Sequence, residues 1–306
     1  MLKKVLYIFL FLILCAIFYL IHVEAPRFIV EIKHPIIEEG MAAHRPKLIQ
    51  SFKEKQPNGE YITVITKDSI KLSAYLALTE SSNQKGTIIL THGIRSRKEQ
   101  WLESVKGITD KGYNCVAMDL RAHGQSTGKY CTFGVKEKLD ISSILDFLAE
   151  NYNISKNFGV WGSSLGGAIA LQSLAYDKRL KFGIIESTFS EFRSVTQDYF
   201  ENTLGFRWEF LGNYLVNRSG KLAGFNPEEA SPISAAKKVT QPVLMLHGTA
   251  DKNISIDYGR ANFKALSSAD KKWVEIKGGE HNGMANADTA LYFKELNSFL
   301  NKVSEI

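Results

Sequence analysis

The sequence predicts an α/β protein: a mostly parallel, doubly wound sheet with a helical lid insertion, preceded by one N-terminal transmembrane helix. Short apolar runs alternate with amphipathic stretches of helical length, two strands of alternating polarity precede them, and an uncharged apolar run lies near the N-terminus. The 306 residues, 44% hydrophobic and 23% charged, are ordinary for a globular chain and exclude a disordered or collagen-like one. We expect one folded domain, because large α/β sheets often exceed about 200 residues.

Residues 5–23 are expected to cross a membrane. They contain no Asp, Glu, Lys or Arg, and a helix of this length rises roughly 28 Å, close to the roughly 30 Å hydrocarbon core of a bilayer. Lys3 and Lys4 precede the run, so we expect the N-terminus in the cytoplasm and the rest of the chain on the extracytoplasmic side. The alternative is a buried core helix, but such helices are rarely apolar on every face at the extreme N-terminus.

The N-terminal segment is predicted to remain attached as a signal anchor of residues 1–25. The tripeptide ending at Ala25 loosely fits a signal-peptidase site, but Pro26 follows it directly. The apolar run also exceeds the usual signal core of about 7–15 residues. Residues 26–58, which contain four prolines, are interpreted as a stalk that leads into the domain of residues 59–306.

The strands of the predicted sheet are of two kinds. Residues 61–65 and 70–78 alternate in polarity around a short polar turn, which predicts an antiparallel hairpin. The later runs are short and almost continuously apolar, which is typical of strands buried on both faces of a parallel sheet. They cover residues 87–91, 115–118, 158–161, 182–185 and 243–246, and a further strand is expected over residues 273–276.

Amphipathic stretches at 136–150, 165–176 and 288–303 are predicted helices between these strands. In such doubly wound sheets, ligands bind beyond the carboxyl ends of the strands. Residues 187–235 break the alternation, and we interpret them as a helical lid that lines a substrate pocket; the alternative is that these helices only pack on the core. The segment is rich in aromatic residues, namely Phe189, Phe192, Tyr199, Phe200, Phe206, Trp208, Phe210 and Tyr214.

The pentapeptide Gly162-Ser163-Ser164-Leu165-Gly166 fits the pattern G-x-S-x-G. It follows a predicted strand and opens a predicted helix, which is the setting that a nucleophilic serine on a strained turn requires. The flanking glycines leave room for the close approach of helix and strand. This context predicts Ser164 as a nucleophile, whereas a Gly-Ser turn without catalysis is the alternative.

A nucleophilic serine needs a base, and the base needs an acid to hold its tautomer. After a G-x-S-x-G serine, the acid and then the histidine follow along the chain. Only His247 and His281 follow Ser164. His247 ends a predicted strand, where we expect it to serve the turn. His281 lies in a glycine-bracketed loop after the last strand, so we predict it to be the general base.

Asp251, a few residues beyond the predicted strand 243–246, is the predicted acid. Two alternatives remain open. Asp257 is close by but is expected to start a helix, and Glu186 ends the strand that follows the nucleophile helix. The oxyanion hole is predicted from the backbone N–H groups of Leu165, directly after the nucleophile, and Ile94, after the first parallel strand. His92, beside it, is interpreted as a structural turn residue.

These residues together resemble the α/β-hydrolase superfamily, in its serine aminopeptidase-like, monoacylglycerol-lipase-like and prolyl-oligopeptidase-like branch. The resemblance covers roughly residues 60–303. The stretch from Asp119 to Ser126 is similar to the family loop D-x-R-G-H-G-x-S, with Ala122 in place of the usual glycine. This loop is structural in relatives, which implies no catalytic role for its side chains. Residues 226–232 resemble the segment by which such lids return to the sheet.

We therefore expect a serine hydrolase that cleaves an ester, thioester or related acyl bond through an acyl-enzyme, with no metal and no cofactor. A peptidase of short peptides and a catalytically silent, membrane-tethered binding module are the alternatives. The expected partners are the membrane, through residues 5–23, and a small-molecule acyl substrate, for which a lipid is one candidate. A net charge of +6 spread along the chain argues against nucleic acid as a partner.

Cys115 and Cys131 are interpreted as idle thiols, with a disulfide between them as the alternative.

Overall fold

The described part of the chain comprises residues 2–33, 54 and 58–305 of a computed structural model, without the side chain of Leu204. Most of the predicted stalk of residues 26–58 therefore lies outside the described residues. The helices in chain order are α1 (Leu2–Tyr19), α2 (Ala25–Val30), α3 (Leu102–Thr109), α4 (Glu137–Asn151), α5 (Leu165–Tyr176), α6 (Phe192–Leu204), α7 (Glu209–Ala223), α8 (Pro232–Ala236), α9 (Ile256–Ala265), α10 (Met284–Ala287) and α11 (Thr289–Val303).

Eight strands of the described residues form one sheet, in the order β1-β2-β4-β3-β5-β6-β7-β8. Antiparallel pairing joins β1 to β2 and β2 to β4, and every other pair is parallel. The predicted hairpin and the predicted parallel strands are therefore confirmed. The strands are β1 (Gly59–Ile65), β2 (Lys71–Ala77), β3 (Gly86–Thr91), β4 (Tyr113–Met118), β5 (Phe158–Ser163), β6 (Leu180–Glu186), β7 (Val243–Gly248) and β8 (Lys271–Ile276).

The central strands are apolar throughout because both faces of the sheet are covered. Every residue of β3, β4 and β7 is buried. Successive side chains of a strand point to opposite faces, so β3 contributes to two cores. Ile89 packs in the core that also contains Ile144 of α4. Ile88 and Leu90 pack in the other core, which contains Phe299 of α11.

Helices α1 and α2 form one continuous helix, Leu2–Val30, joined by the π-helical turn Leu20–Glu24. This helix is long and apolar enough to cross a membrane, and the side chains of α1 are exposed. The turn precedes Pro26, which has no N–H to donate to the carbonyl of His22. That carbonyl instead accepts a hydrogen bond from Arg218 Nη2 at 3.3 Å. The helix thus continues beyond the predicted anchor boundary at residue 25.

The described start of the predicted stalk is packed on the domain. Val30 and Ile32 are buried, and the Val30 carbonyl accepts a hydrogen bond from the N–H of Cys131 at 2.8 Å. Glu31 and Tyr130 form an isolated antiparallel bridge. The end of the N-terminal helix is therefore fixed against the domain by backbone hydrogen bonds.

The predicted lid, residues 187–235, contains α6, α7, α8 and a 3₁₀ turn at Pro227–Glu229, and its described residues form no strand. Helices α6 and α7 end at Gly205 and Gly224, whose left-handed backbone is the usual way for a helix to stop. All three cysteines are free, and Cys115 and Cys131 are buried, so the alternative of a disulfide is not realised.

Candidate active site

Ser164 occupies a strained turn between β5 and α5. Its backbone has φ 56° and ψ −119°, a conformation that non-glycine residues rarely adopt. The turn is tight: a Cβ atom on Gly162 would lie 2.1 Å from the carbonyl oxygen of Gly166. A Cβ atom on Gly166 would lie 2.1 Å from the carbonyl oxygen of Thr91. The glycines on both sides of Ser164 are therefore required by close backbone contacts.

The structure brings together the three side chains that were predicted to act as nucleophile, base and acid. Nδ1 of His281 lies 2.8 Å from Oδ2 of Asp251, and Nε2 lies 3.0 Å from Oγ of Ser164. With the proton on Nδ1, His281 donates to the carboxylate and accepts from the serine hydroxyl. The side chain of Asp251 is fully buried and that of His281 is 13% exposed, so the chain of hydrogen bonds is largely shielded from water.

Asp251 is held as an anion by several donors. Its Oδ1 accepts hydrogen bonds from the N–H groups of Asn253 at 3.0 Å and Ile254 at 2.9 Å. Burial alone would raise the pKa of Asp251, but the hydrogen bonds from His247, His281 and Ile254 outweigh it. The pKa therefore lies well below its ordinary value of 3.8.

His247 is a contributor that the sequence did not reveal. Its side chain is buried, and Nε2 lies 3.4 Å from Oδ2 of Asp251 and 3.1 Å from the Ile254 carbonyl. We predicted His247 to serve the turn after its strand. In the structure it does so by packing against the carboxylate of Asp251, four residues later. The signal in the sequence that could have indicated this contact is the short separation, since His247 and Asp251 lie four residues apart around the turn after β7.

The two alternative acids are engaged elsewhere. Oε1 of Glu186 accepts hydrogen bonds from Trp161 Nε1 at 2.9 Å and from Tyr292 Oη at 2.5 Å. Burial raises the pKa of Glu186, although those two hydrogen bonds oppose the shift. Asp257 lies in the first turn of α9 and pairs with Arg260 at 3.0 Å. The described contacts of His281 thus favour Asp251 over both alternatives.

The two predicted oxyanion donors flank the serine. A Cβ atom on Gly93 would lie 3.5 Å from Cβ of Ser164, so the loop that carries Ile94 runs beside the nucleophile. Gln100 Oε1 accepts a hydrogen bond from the N–H of Gly93 at 3.2 Å and supports this loop. In the described part of the chain, the N–H groups of Ile94 and Leu165 donate to no other backbone group. Both donors are therefore available to a ligand.

His92 and the loop of residues 119–126 are joined by a buried hydrogen bond beside the predicted oxyanion loop. Nε2 of His92 accepts from the N–H of Leu120 at 3.1 Å, and burial lowers the pKa of His92; it is a neutral turn residue, as expected. Asp119 forms a fully buried ion pair with Lys98 at 2.7 Å, a partner that the sequence did not identify. Ala122 adopts φ 62°, a left-handed conformation that suits the glycine usual at this position.

A cavity of about 560 Å³ opens at Ser164. This volume lies within the range of about 300–1,000 Å³ that small-molecule sites occupy. Its lining comes from α6 and α7 of the lid, the loop at Ile94 and, unexpectedly, from residues 20–29 at the end of the N-terminal helix. Arg95 is the one formally charged residue among the described lining.

Comparisons with known proteins agree with this architecture. Residues 86–230 match the sequence model of a family described as alpha/beta hydrolase fold. The uncharacterized protein YqkD of Bacillus subtilis is 25% identical over 232 residues, which are 72% of each chain. A 2,6-dihydropseudooxynicotine hydrolase of Paenarthrobacter nicotinovorans is 23% identical over 218 residues, 70% of this chain and 57% of that one.

Among solved structures, an esterase of Pyrococcus furiosus superposes with a TM-score of 0.68 and 22% identity, covering 82% of this chain and 93% of the esterase. At this level of identity the likeness shows the fold. The family match and the hydrolases among the relatives support an enzyme of the hydrolase class. The eight-stranded sheet, the strained serine turn and the match over residues 86–230 lead to one conclusion: the chain has the α/β-hydrolase fold.

Proposed function

We propose that this protein is a serine hydrolase that cleaves an ester, thioester or related acyl bond through an acyl-enzyme on Ser164. The observation that carries the proposal is the unbroken chain of hydrogen bonds from Ser164 through His281 to Asp251. Three residues far apart in sequence meet at distances suited to proton transfer. A merely structural serine turn would not require a histidine and a buried carboxylate in line with its hydroxyl.

The proposed reaction has two stages. His281 Nε2 takes the proton of Ser164 as its Oγ attacks the acyl carbon, and the N–H groups of Ile94 and Leu165 stabilise the oxyanion. The imidazolium then gives its proton to the leaving group, and Asp251 stabilises the positive charge in between. In the second stage, His281 activates a water molecule that hydrolyses the acyl-enzyme and regenerates the Ser164 hydroxyl.

The shape of the site supports an apolar acyl substrate. The cavity that begins at Ser164 is lined mainly by aliphatic and aromatic side chains from the lid, among them Val195, Leu211 and Leu215. Burial of apolar surface gives about 25 cal/mol per Å², so such a cavity favours a hydrocarbon group over a peptide.

We further propose that residues 1–25 anchor the protein, with the N-terminus in the cytoplasm and the catalytic domain, residues 59–306, outside it.

The test uses the full chain in detergent micelles with a fluorophosphonate probe and a series of p-nitrophenyl esters. We expect the wild type to be labelled and to turn over esters, and Ser164→Ala to do neither. The matched control is Ser143→Ala, which removes a hydroxyl on α4 that donates to the Leu139 carbonyl of the same helix. If folded wild type neither reacts with the probe nor hydrolyses any ester, the proposal is wrong and a silent binding module replaces it.

A panel of short-peptide amides separates esterase from peptidase. An acyl hydrolase should prefer esters by several orders of magnitude over amides with the same acyl group. Faster cleavage of the peptides would replace the esterase with a peptidase that uses the same triad.

A further inference from the structure

The C-terminal end of the membrane helix forms part of the wall of the active-site cavity. The side chains of α1 are exposed over the whole helix, whereas the following residues turn toward the domain. Ala25, Phe28 and Ile29 line the cavity, as do Leu20 and Ile21, which directly follow the exposed helix α1. Ser164 lines the same cavity.

Specific contacts hold this segment in place. His22 packs against Tyr214 of α7, with ring centroids 5.2 Å apart. Ser219 Oγ, also on α7, shares its one proton between the carbonyl oxygens of Leu215 at 2.8 Å and Pro26 at 3.1 Å. The segment is therefore docked on the lid by side-chain contacts and a hydrogen bond. Residues 20–29 therefore form part of the cavity wall and do more than connect the N-terminal helix to the domain.

Arg95 joins the membrane helix to the predicted oxyanion loop. Its Nη2 donates to the carbonyl oxygen of Phe28 at 2.8 Å, and its guanidinium lies 4.6 Å from the centroid of the Phe28 ring. Because Arg95 directly follows Ile94, the position of α2 is linked to the loop beside the nucleophile. The charge of Arg95 is thus directed at α2, and the remaining described lining of the cavity carries no formal charge.

The turn between the two lid helices carries large apolar side chains that, like Leu20, line the cavity and are more than half exposed. Phe206 and Trp208 line the cavity together with Leu20, yet Trp208 is 56% exposed and the neighbouring Phe210 is 78% exposed. Tryptophan and other amphipathic aromatic residues concentrate at the interface of a bilayer. Exposed apolar patches of this kind mark a membrane or protein contact. The apolar N-terminal helix, whose C-terminal residues line the same cavity, favours the membrane.

We propose that the cavity takes the acyl chain of a lipid ester directly from the bilayer. The chain enters between the membrane helix at Leu20 and the aromatic turn at Phe206 and Trp208, and residues 25–29 of the membrane helix bind it. The proposal rests on the serine hydrolase function, which it deepens by naming the substrate class and its route. The ester carbonyl reaches Ser164 while the rest of the lipid remains at the interface.

The first experiment compares two substrates with the full chain in phosphatidylcholine nanodiscs. One is p-nitrophenyl acetate, supplied from water, and the other is a dodecanoyl ester dissolved in the bilayer. Ala25→Trp places an indole in the cavity from the side of the membrane helix, and Leu12→Trp makes the same change on the exposed surface of α1. We expect Ala25→Trp to lower the ratio of dodecanoyl to acetyl turnover at least tenfold, and Leu12→Trp to leave that ratio unchanged.

An unchanged ratio in Ala25→Trp overturns the proposal. Acetyl turnover by each variant shows that it is folded. If Ala25→Trp does not fold, the smaller Ala25→Leu should lower the ratio in the same direction, and an unchanged ratio in Ala25→Leu overturns the proposal equally.

The second experiment is independent of catalysis. The Ser164→Ala variant is placed in nanodiscs that contain phosphatidylcholine with a diazirine on its acyl chain, irradiated, and mapped by mass spectrometry. Phe189 and Val195 are buried and line the cavity, so label at these residues, lost in the double variant with Ala25→Trp, supports the route. Label confined to α1 overturns it. Wild type that hydrolyses neither ester and does not react with a fluorophosphonate instead contradicts the proposed function, while the photolabel still reports on lipid binding.

Discussion

Replacing Asp251 with asparagine tests the proposed triad most directly, because the surrounding hydrogen bonds dictate how the amide must sit. Oδ1 of Asp251 accepts two backbone N–H groups, from Asn253 and Ile254. In Asp251→Asn the carbonyl oxygen has to remain there, since an NH₂ group would face two donors. The NH₂ group then faces Nδ1 of His281, which can only accept from it. The proton of His281 moves to Nε2, where it points at the hydroxyl of Ser164.

The expected loss follows from this tautomer. A histidine that carries its proton on Nε2 cannot take the proton of Ser164, and the charge that stabilised the imidazolium is also gone. We expect kcat to fall by about 10⁴, roughly 5 kcal/mol in activation free energy, the size of the effect that this exchange has in serine-protease triads. Since substrate contacts are unchanged, KM should stay within a few-fold of the wild-type value.

The assay is steady-state hydrolysis of a p-nitrophenyl ester at pH 8, with circular dichroism to show that the variant is folded. Asp257→Asn is the matched control, because it makes the same change six residues later, at a carboxylate that is 79% exposed and contacts Arg260. The control should keep wild-type kcat. If Asp251→Asn retains more than a tenth of the wild-type kcat while Glu186→Gln loses most of it, the acid is Glu186 and the reasoning is refuted.

Three further predictions concern stability. Folding lowers the pKa of Asp251. Its carboxylate therefore contributes to the free energy of unfolding above the unfolded pKa of about 3.9, and this contribution is lost as the pH falls toward the folded value. The difference in Tm between wild type and Asp251→Asn should be constant from pH 5 to 8 and shrink below about pH 4. Gly166→Ala places a Cβ atom 2.1 Å from a carbonyl oxygen and should destabilise the fold by about 3 kcal/mol. The control Gly107→Ala lies on α3 with open space around it and should raise Tm slightly. Equal effects of the two variants on thermal melting would contradict the close packing at Gly166. Lys98→Met leaves the carboxylate of Asp119 buried without its ion-pair partner. The free energy of unfolding, measured by urea denaturation, should fall by about 3–5 kcal/mol. A loss below about 1 kcal/mol would show that water replaces the lysine.

Local patterns in the sequence were sufficient for much of the fold and for the strained turn at Ser164. The alternation of Ile88, Ile89 and Leu90 between two buried faces appears in the sequence as a continuous apolar run, because a central strand contacts a core on each side. The turn at Ser164 was predictable because its geometry depends on glycines only two residues away. His281 was predictable by elimination, since few histidines follow the serine.

The sequence predicted Asp251 as the acid but left Asp257 and Glu186 open as alternatives. The contacts of the three carboxylates depend on the tertiary structure. The hydrogen bonds from Trp161 and Tyr292 that occupy Glu186 come from segments distant in sequence. The same holds for the buried pair of Lys98 and Asp119, since a lysine in a charged stretch is ordinarily expected in solvent.

The N-terminal helix shows most clearly what sequence and tertiary structure each contribute. Its apolar length and the lysines before it are properties of the chain alone, so the sequence was enough to predict that residues 5–23 form a helix long enough to span a membrane. The contacts of Ala25 and Phe28 with the cavity and of Pro26 with α7 appear only when the chain is folded. The physical reason is that burial periodicity and turn geometry depend on neighbouring residues, whereas a cavity wall depends on which distant segments meet when the chain is folded.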